Sequence, residues 1–314
     1  MRFLVTGAAG FIGSHLAEAL VRGGHGVVGV DSFSDFYPRE TKEANLVSLA
    51  QGDRFEIEER DVRLLEGGLL DGIDGIFHLA AQAGVRGSWG DGFARYVDDN
   101  VLATQHLFEL AAQAGVRVVF ASSSSVYGNA EAHPTPEAAT LAPISPYGVT
   151  KAACESLAGA YADQFGLDVV ALRFFTVYGP RQRPDMAFSR LARCLVEERP
   201  FVLLGDGTQT RDFTYVGDAV AAAISAMESA RRGAVYNVGG GESASMLEAI
   251  GAFEENAGRV LLRDEREVAS GDVRHTGADT TAIRRDTGWE PKTPLRAGIA
   301  AQWAWATGLT SGTT

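Results

Sequence analysis

Tyr147 and Lys151 stand four residues apart, just behind Ser145-Pro146. Serine caps helix N-termini and proline fits the first helical position, so a helix is expected here with phenol and ammonium on one face. An ammonium beside a phenol favours the phenolate, which predicts a general base usable near neutral pH. A pair of this kind recurs by chance, and its meaning depends on its surroundings. Upstream, Ser122-Ser123-Ser124-Ser125-Val126-Tyr127-Gly128 follows a run rich in Val and Phe. That puts a serine hydroxyl at the carboxyl end of an expected strand, the edge at which doubly wound sheets take ligands.

A second group opens the chain. Thr6-Gly7-Ala8-Ala9-Gly10-Phe11-Ile12-Gly13 follows an expected strand and leads into an expected helix. Glycines at Gly7, Gly10 and Gly13 permit a tight turn, bring backbone amides close to a pyrophosphate and let helix and strand pack closely. The helix N-terminus then attracts the negative charge. Asp31 ends the next expected strand, 18 residues beyond Gly13, where a carboxylate accepts from adenosine ribose hydroxyls. The same carboxylate repels a ribose 2′-phosphate, so the expected cofactor is NAD rather than NADP.

These groups need a frame. Residues 3–5, 27–30, 55–59, 76–79, 118–121 and 169–172 are short β-branched or aromatic runs separated by helix-length stretches, the pattern of βαβ units and a parallel sheet. Residues 14–22 and 101–114 carry apolar side chains at helical spacing. Four prolines between Glu131 and Tyr147 predict a long loop, and residues 179–184 a break between domains. The expected fold is α/β, a Rossmann-type doubly wound parallel sheet with a second, smaller α/β substrate domain. The first domain is expected to span 1–178, with about 212–238 returning to it as a strand tip and an Ala-rich helix, and the second 179–314. Residues 307–314 read as a frayed tail.

Composition narrows the partners. The chain has 314 residues, 46% of them hydrophobic and 22% charged, and no apolar run near the ~20 residues that span a bilayer, so a membrane is not an expected partner. A strand directly behind Met1 leaves no room for a secretory signal, which gives a cytoplasmic expectation. The net charge of −12 disfavours binding along a phosphate backbone, and nucleic acid is likewise not expected. Cys154 and Cys194 are far apart in helical contexts, so they read as small buried hydrophobes, with neither a disulfide framework nor a metal site.

Together these motifs resemble the extended short-chain dehydrogenase/reductase family, specifically its NAD-dependent sugar-nucleotide epimerases and dehydratases. The resemblance runs from Val5 to about Pro294. It implies NAD on the loop carrying Gly7, Gly10, Phe11, Ile12 and Gly13, and a catalytic triad of Ser123, Tyr147 and Lys151. Ser123 is chosen because the family's hydroxyl lies four residues before the tyrosine of V-Y-G, here Tyr127; Ser122 and Ser124 stay as alternatives. Asp61-Val62 resembles the adenine-contacting pair, Leu79-Ala80-Ala81 the strand end beside the cofactor, and Asn100 a helix residue supporting the site. A homodimer through two helices, near 100–114 and 145–165, is a further family expectation.

The resemblance also discriminates among activities. Dehydratases of the family place Asp-Glu after the triad hydroxyl, and decarboxylases of UDP-glucuronate keep a glutamate before V-Y-G; this chain has Ser124-Ser125. The run Arg173 to Pro180, then Arg183-Pro184-Asp185-Met186, with Ala80 to Arg86, is similar to UDP-glucuronate 4-epimerases, whereas UDP-glucose enzymes usually have asparagine where Thr176 stands. That implies a UDP-sugar substrate, its carboxylate held by Thr176 and Arg183 with Arg86 as helper, and its nucleotide by Arg211 and Asp272. Ala269 departs from the arginine some epimerases carry there, with Arg274 or Arg266 as stand-ins. The expected activity is reversible 4-epimerisation of UDP-glucuronate to UDP-galacturonate. The alternatives are UDP-glucose/UDP-galactose 4-epimerisation, UDP-glucuronate decarboxylation, or a non-catalytic NAD sensor.

Overall fold

The computed structural model describes residues 1–267 and 273–310. The first half alternates β1 (Arg2–Thr6), α1 (Phe11–Arg22), β2 (Gly26–Asp31), α2 (Arg39–Leu46), β3 (Phe55–Glu59), β4 (Gly75–His78), α3 (Phe93–Tyr96), α4 (Ala103–Ala114), β5 (Val118–Ser123), α5 (Pro146–Phe165) and β6 (Val169–Phe174). The second half carries β7 (Thr176–Tyr178), α6 (Ala187–Val196), β8 (Phe201–Leu204), β9 (Thr210–Tyr215), α7 (Val216–Ser229), β10 (Val235–Val238), β11 (Ser243–Ser245), α8 (Met246–Ala257), β12 (Arg263–Arg266), α9 (Thr281–Thr287) and α10 (Leu295–Thr310).

Seven of these strands form one sheet in the order β10-β6-β5-β4-β1-β2-β3, with every neighbouring pair parallel. Successive side chains of a strand point to opposite faces, and β1 divides accordingly. Phe3 and Val5 join one apolar cluster with α1 and α7, while Leu4 joins the other with α4 and α5. Strands covered on both faces read as apolar runs, which accounts for Ile76-Phe77 of β4, residues 118–121 of β5 and residues 169–172 of β6; the polar residues His78, Ser122, Ser123 and Arg173 come toward their carboxyl ends. At the outer edge, β3 is Phe-Glu-Ile-Glu-Glu and mostly exposed, and its carboxylates discourage edge-to-edge pairing. The chain leaves β1 toward β2 and β3, then crosses back to β4. This reversal opens a crevice at the carboxyl ends of β1 and β4, where sheets of this kind take ligands.

A third apolar cluster, with Tyr178, Phe188, Phe213, Phe253 and Ile299, lies among α6, α8 and α10. It is flanked by a three-stranded sheet, β11-β9-β7, and by the pair β12-β8. Here the expected return differs in detail. Residues 212–215 belong to β9 in this small sheet; α7 packs with the large sheet's core and β10, pairing with β6, supplies the returning strand. The closing stretch also differs, since α10 continues through Thr310. Residues 101–102 complete a π-helical turn, Val97–Leu102, ahead of α4. Of the two cysteines, Cys154 is fully buried and Cys194 only half-buried.

Candidate active site

The glycine loop is held by close backbone approach. Gly7 has φ of +70°, and a Cβ there would lie 2.9 Å from Ala80 N, so β1's turn packs directly on the turn after β4. A Cβ on Gly13 would lie 2.1 Å from Gly7 O. Any side chain at either position forces the two turns apart. Helix α1 then starts at Gly10 with no side chain capping its first amides, which leaves an N-terminus open to an anion. Asp31 is buried and braces this loop, its Oδ2 accepting from Ala9 N at 3.1 Å and its Oδ1 from Phe33 N at 2.8 Å. Burial pushes its carboxyl up, and the Lys42 ammonium, 3.9 Å away, pulls it back. Each carboxylate oxygen has a second lone pair, so a ribose hydroxyl remains accommodated. These residues fit a dinucleotide.

A groove of about 430 Å³ runs from this loop to the second unit. Gly7, Gly10, Phe11, Ile12, Gly13, Asp31, Asp61, Val62, Leu79, Ala80 and Ala81 all line it. Asn100 does not; fully buried behind the wall, it accepts from Gln82 N at 2.7 Å and donates to Gln82 O and Thr150 Oγ1. Its own carbonyl accepts from Cys154 Sγ. The π-helical turn therefore seats Asn100 where it joins the β4 turn to α5.

Helix α5 begins as its sequence dictates, with Ser145 Oγ accepting from Gly148 N at 3.1 Å and Pro146 in the first turn. Tyr147 and Lys151 thereby both reach the groove, opposite Ser123 at the end of β5. The Tyr147 hydroxyl and the Ser123 side chain face the same groove. Burial raises the pKa of the phenol, and the neighbouring Ser123 hydroxyl and the Arg183 charge oppose that rise. This differs from the expected depression by Lys151. The Lys151 ammonium instead donates to Ala121 O at 2.8 Å and faces the Phe120 ring at 5.0 Å, and burial holds its pKa down. Ser122 is committed elsewhere, donating to Glu155, so of the adjacent pair it is Ser123 that meets Tyr147. Ser124 also lines the groove.

Glu155 is one of several residues that the sequence reading missed. One turn beyond Lys151, it forms a buried bidentate pair with Arg173, whose Nη1 also donates to Tyr127. Tyr127 in turn donates to Asn237 of β10. This network ties the serine turn to α5, β6 and β10. The i, i+4, i+8 spacing of Tyr147, Lys151 and Glu155 was the available signal.

From the second unit, Thr176 and Arg183 line the groove beside Met186. Arg183 is not free: Nε and Nη2 donate to Asp185 at 3.0 and 2.9 Å, and its guanidinium faces the Phe36 ring at 5.7 Å. The sequence pattern assigns no role to Asp185, and Phe36 lies in a loop that carries no motif. Arg86 lies in an exposed turn outside the lining. Arg211 is also outside it, with Nη1 donating to the carbonyls of Thr210 and Arg274. Asp272, with Ala269, falls outside the described residues. Asp279 accepts from Thr281 N at the start of α9.

Comparison with known proteins places this geometry. Residues 3–239 match the model of the NAD dependent epimerase/dehydratase family. An uncharacterised UDP-glucose epimerase of Bacillus subtilis is 41% identical over 99% of this chain and 100% of its own. The UDP-glucuronate 4-epimerase of Thermodesulfobacterium geofontis is 34% identical over 97% of this chain and 95% of its own. Among solved structures, UDP-glucuronic acid 4-epimerase from Bacillus cereus, in complex with UDP-glucuronic acid and NAD, superposes with a TM-score of 0.95 at 40% identity, covering 98% of this chain and 100% of that one.

Proposed function

This chain belongs to the NAD dependent epimerase/dehydratase family, and from that premise we propose that it interconverts UDP-glucuronate and UDP-galacturonate by inverting carbon 4 of the sugar. The observation that carries the reading is one groove holding the dinucleotide loop, the Ser123–Tyr147 pair and, from the second unit, Arg183 with Thr176. The UDP-glucuronate 4-epimerases among its relatives support it.

When bound, NAD supplies the acceptor and then the donor of hydride at carbon 4, so none is consumed. Gly7, Gly10 and the open N-terminus of α1 would hold its pyrophosphate, Asp31 a ribose, and Asp61 with Val62 the adenine. Tyr147 takes the proton of the 4-hydroxyl, steadied by Ser123, and returns it after the keto sugar has turned over. Lys151, anchored on Ala121 O, keeps positive charge in a dry site. Arg183 and Thr176 grip the sugar carboxylate. Oxidation at carbon 4 makes that group a β-keto acid, which loses carbon dioxide when the carboxylate aligns with the carbonyl π-system; a gripped carboxylate is kept from aligning.

The domain division proposed keeps the chain up to β6 for NAD, rejoined by α7, β10 and α9, and gives the nucleotide sugar the remainder from β7 onward, because β7 pairs with β9 in the small sheet and the boundary therefore falls a few residues before the expected 178. Arg211 would reach the diphosphate. We place the protein in the cytoplasm as a homodimer through α4 and α5, where Leu102, just before α4, and Val149, in the first turn of α5, are exposed. Among the described residues no helix is long and apolar enough to cross a membrane. A second reading, UDP-glucose/UDP-galactose 4-epimerisation, is favoured by Asp185, which already occupies the fork of Arg183. Chromatography after incubation with each sugar nucleotide tests both. The proposal expects UDP-galacturonate from UDP-glucuronate without added reductant. Faster turnover of UDP-glucose selects the second reading, and NADH accumulation or carbon dioxide as the main outcome overturns both.

A further inference from the structure

The connection from β2 to α2 crosses the cofactor groove. Ser32, Ser34, Phe36 and Tyr37 line one rim, and Gly84, Val85, Asp99 and Ala103 line the other. Between the flanking Ser34 and Phe36, Asp35 turns outward and pairs with Arg95 of α3, Oδ1 to Nη2 at 2.7 Å. Arg95 is held from behind by Asp99, Nε to Oδ2 at 3.4 Å, and Asp99 lies 3.8 Å from Arg63, which is itself bound to Asp61 at 2.6 Å. One chain of charges therefore runs from the segment over the groove to its far wall.

The segment is fastened elsewhere too. The Lys42 ammonium, buried, donates to Ser34 O at 2.8 Å and to Ser34 Oγ at 3.2 Å. Phe33 is held at φ of +47°, a backbone region costly for a bulky residue, while its amide donates to Asp31. Across the rim, the Phe36 ring lies 3.9 Å from where a Cβ on Gly84 would stand. A segment strained at one residue, anchored at its root and touching the opposite wall at two points is built to stay closed.

We infer that residues 32–37 form a strap, latched by Asp35 and Arg95, which retains the dinucleotide between turnovers. The inference rests on the proposed binding of NAD in this groove. An epimerase regenerates its NAD within each cycle and has no need to exchange it, whereas the sugar nucleotide must enter and leave. The strap lies over the β2 side of the groove and its Phe36 ring reaches the Arg183 guanidinium, at 5.7 Å, so the sugar nucleotide has to pass on the far side of Arg183, beside Thr176 and Met186.

The test follows release of a fluorescent cofactor. The protein is loaded with NADH and chased with excess NAD, for the parent, Asp35→Asn, Arg95→Ala and the double variant. Exposed pairs of this kind are individually weak, so each single change should speed release about two- to five-fold, and the double variant should release no faster than Arg95→Ala alone. Rising salt should speed release from the parent and leave the variants nearly unmoved. Unchanged release, or two changes that simply multiply, overturns the strap. A protein that binds neither NADH nor NAD overturns the function proposed above and the strap with it.

Discussion

Tyr147 is a base that its surroundings hold in reserve. Burial keeps the phenol protonated, and Ser123 and Arg183 oppose that hold. Tyr147→Phe removes one hydroxyl and should slow epimerisation by about 10² to 10⁴, the worth of a positioned proton-transfer group, with UDP affinity nearly intact; unchanged turnover would move the base elsewhere. Arg183 poses a sharper question, because Asp185 shares its guanidinium. Charge-assisted hydrogen bonds are worth roughly 1.5 to 3 kcal/mol. Arg183→Ala should therefore lower kcat/KM for UDP-glucuronate by roughly 10- to 150-fold and leave UDP-glucose far less affected. Equal losses for both sugars would reduce Arg183 to shaping its loop. At this scale the identity of the reacting groups was legible from spacing, but their partners were not. Lys151 sits on the expected helical face, yet it spends its ammonium on Ala121 O, and the carboxylate facing Arg183 lies two residues from it in the same turn.

Elements position these groups through pairings that differ in how far they reach along the chain. The glycine loop and the strands of the large sheet were readable because turn chemistry and apolar runs are local. Three-residue strands such as β7 and β11 carry no such pattern, and β9 is strand only because β7 and β11 flank it. The π-helical turn at Asn100 likewise depends on contacts to Gln82 and Thr150, one on either side in sequence. Strand β4 carries a testable consequence of its burial. His78 is fully buried between Thr6 and Thr104, and its pKa is pushed down to about 3 from an ordinary 6.5. The unfolded chain therefore binds the extra proton first, so the stability this residue supports is present above pH 6.5 and is lost as pH falls toward 3. Between pH 7 and pH 5 the loss is about 2 kcal/mol. Urea unfolding at these two pH values should show the parent losing about that much more than His78→Gln; equal losses would mean that His78 carries no such burden.

The whole molecule joins a cofactor frame and a smaller unit whose helices have their own core, and they meet at one groove. Much of the frame followed from the first 178 residues alone, whereas α7 and β10 reveal their allegiance only through packing on α1 and pairing with β6. Leu102, in the turn before α4, and Val149, in the first turn of α5, leave apolar surface exposed, so sedimentation should find a dimer, and Val149→Asp, which sets a charge there, should yield monomer. A parent that is monomeric, or a variant that stays dimeric, would remove α5 from the interface. The central claim is that carbon 4 gives up its hydrogen and receives the same one on its other face. UDP-glucuronate carrying deuterium at carbon 4, incubated with the NAD-loaded protein and no added reductant, tests it by magnetic resonance. The expected product is UDP-galacturonate with the deuterium still on carbon 4 and the bound NAD unchanged in amount. Loss of the deuterium to solvent, or its accumulation in NADH, would contradict it.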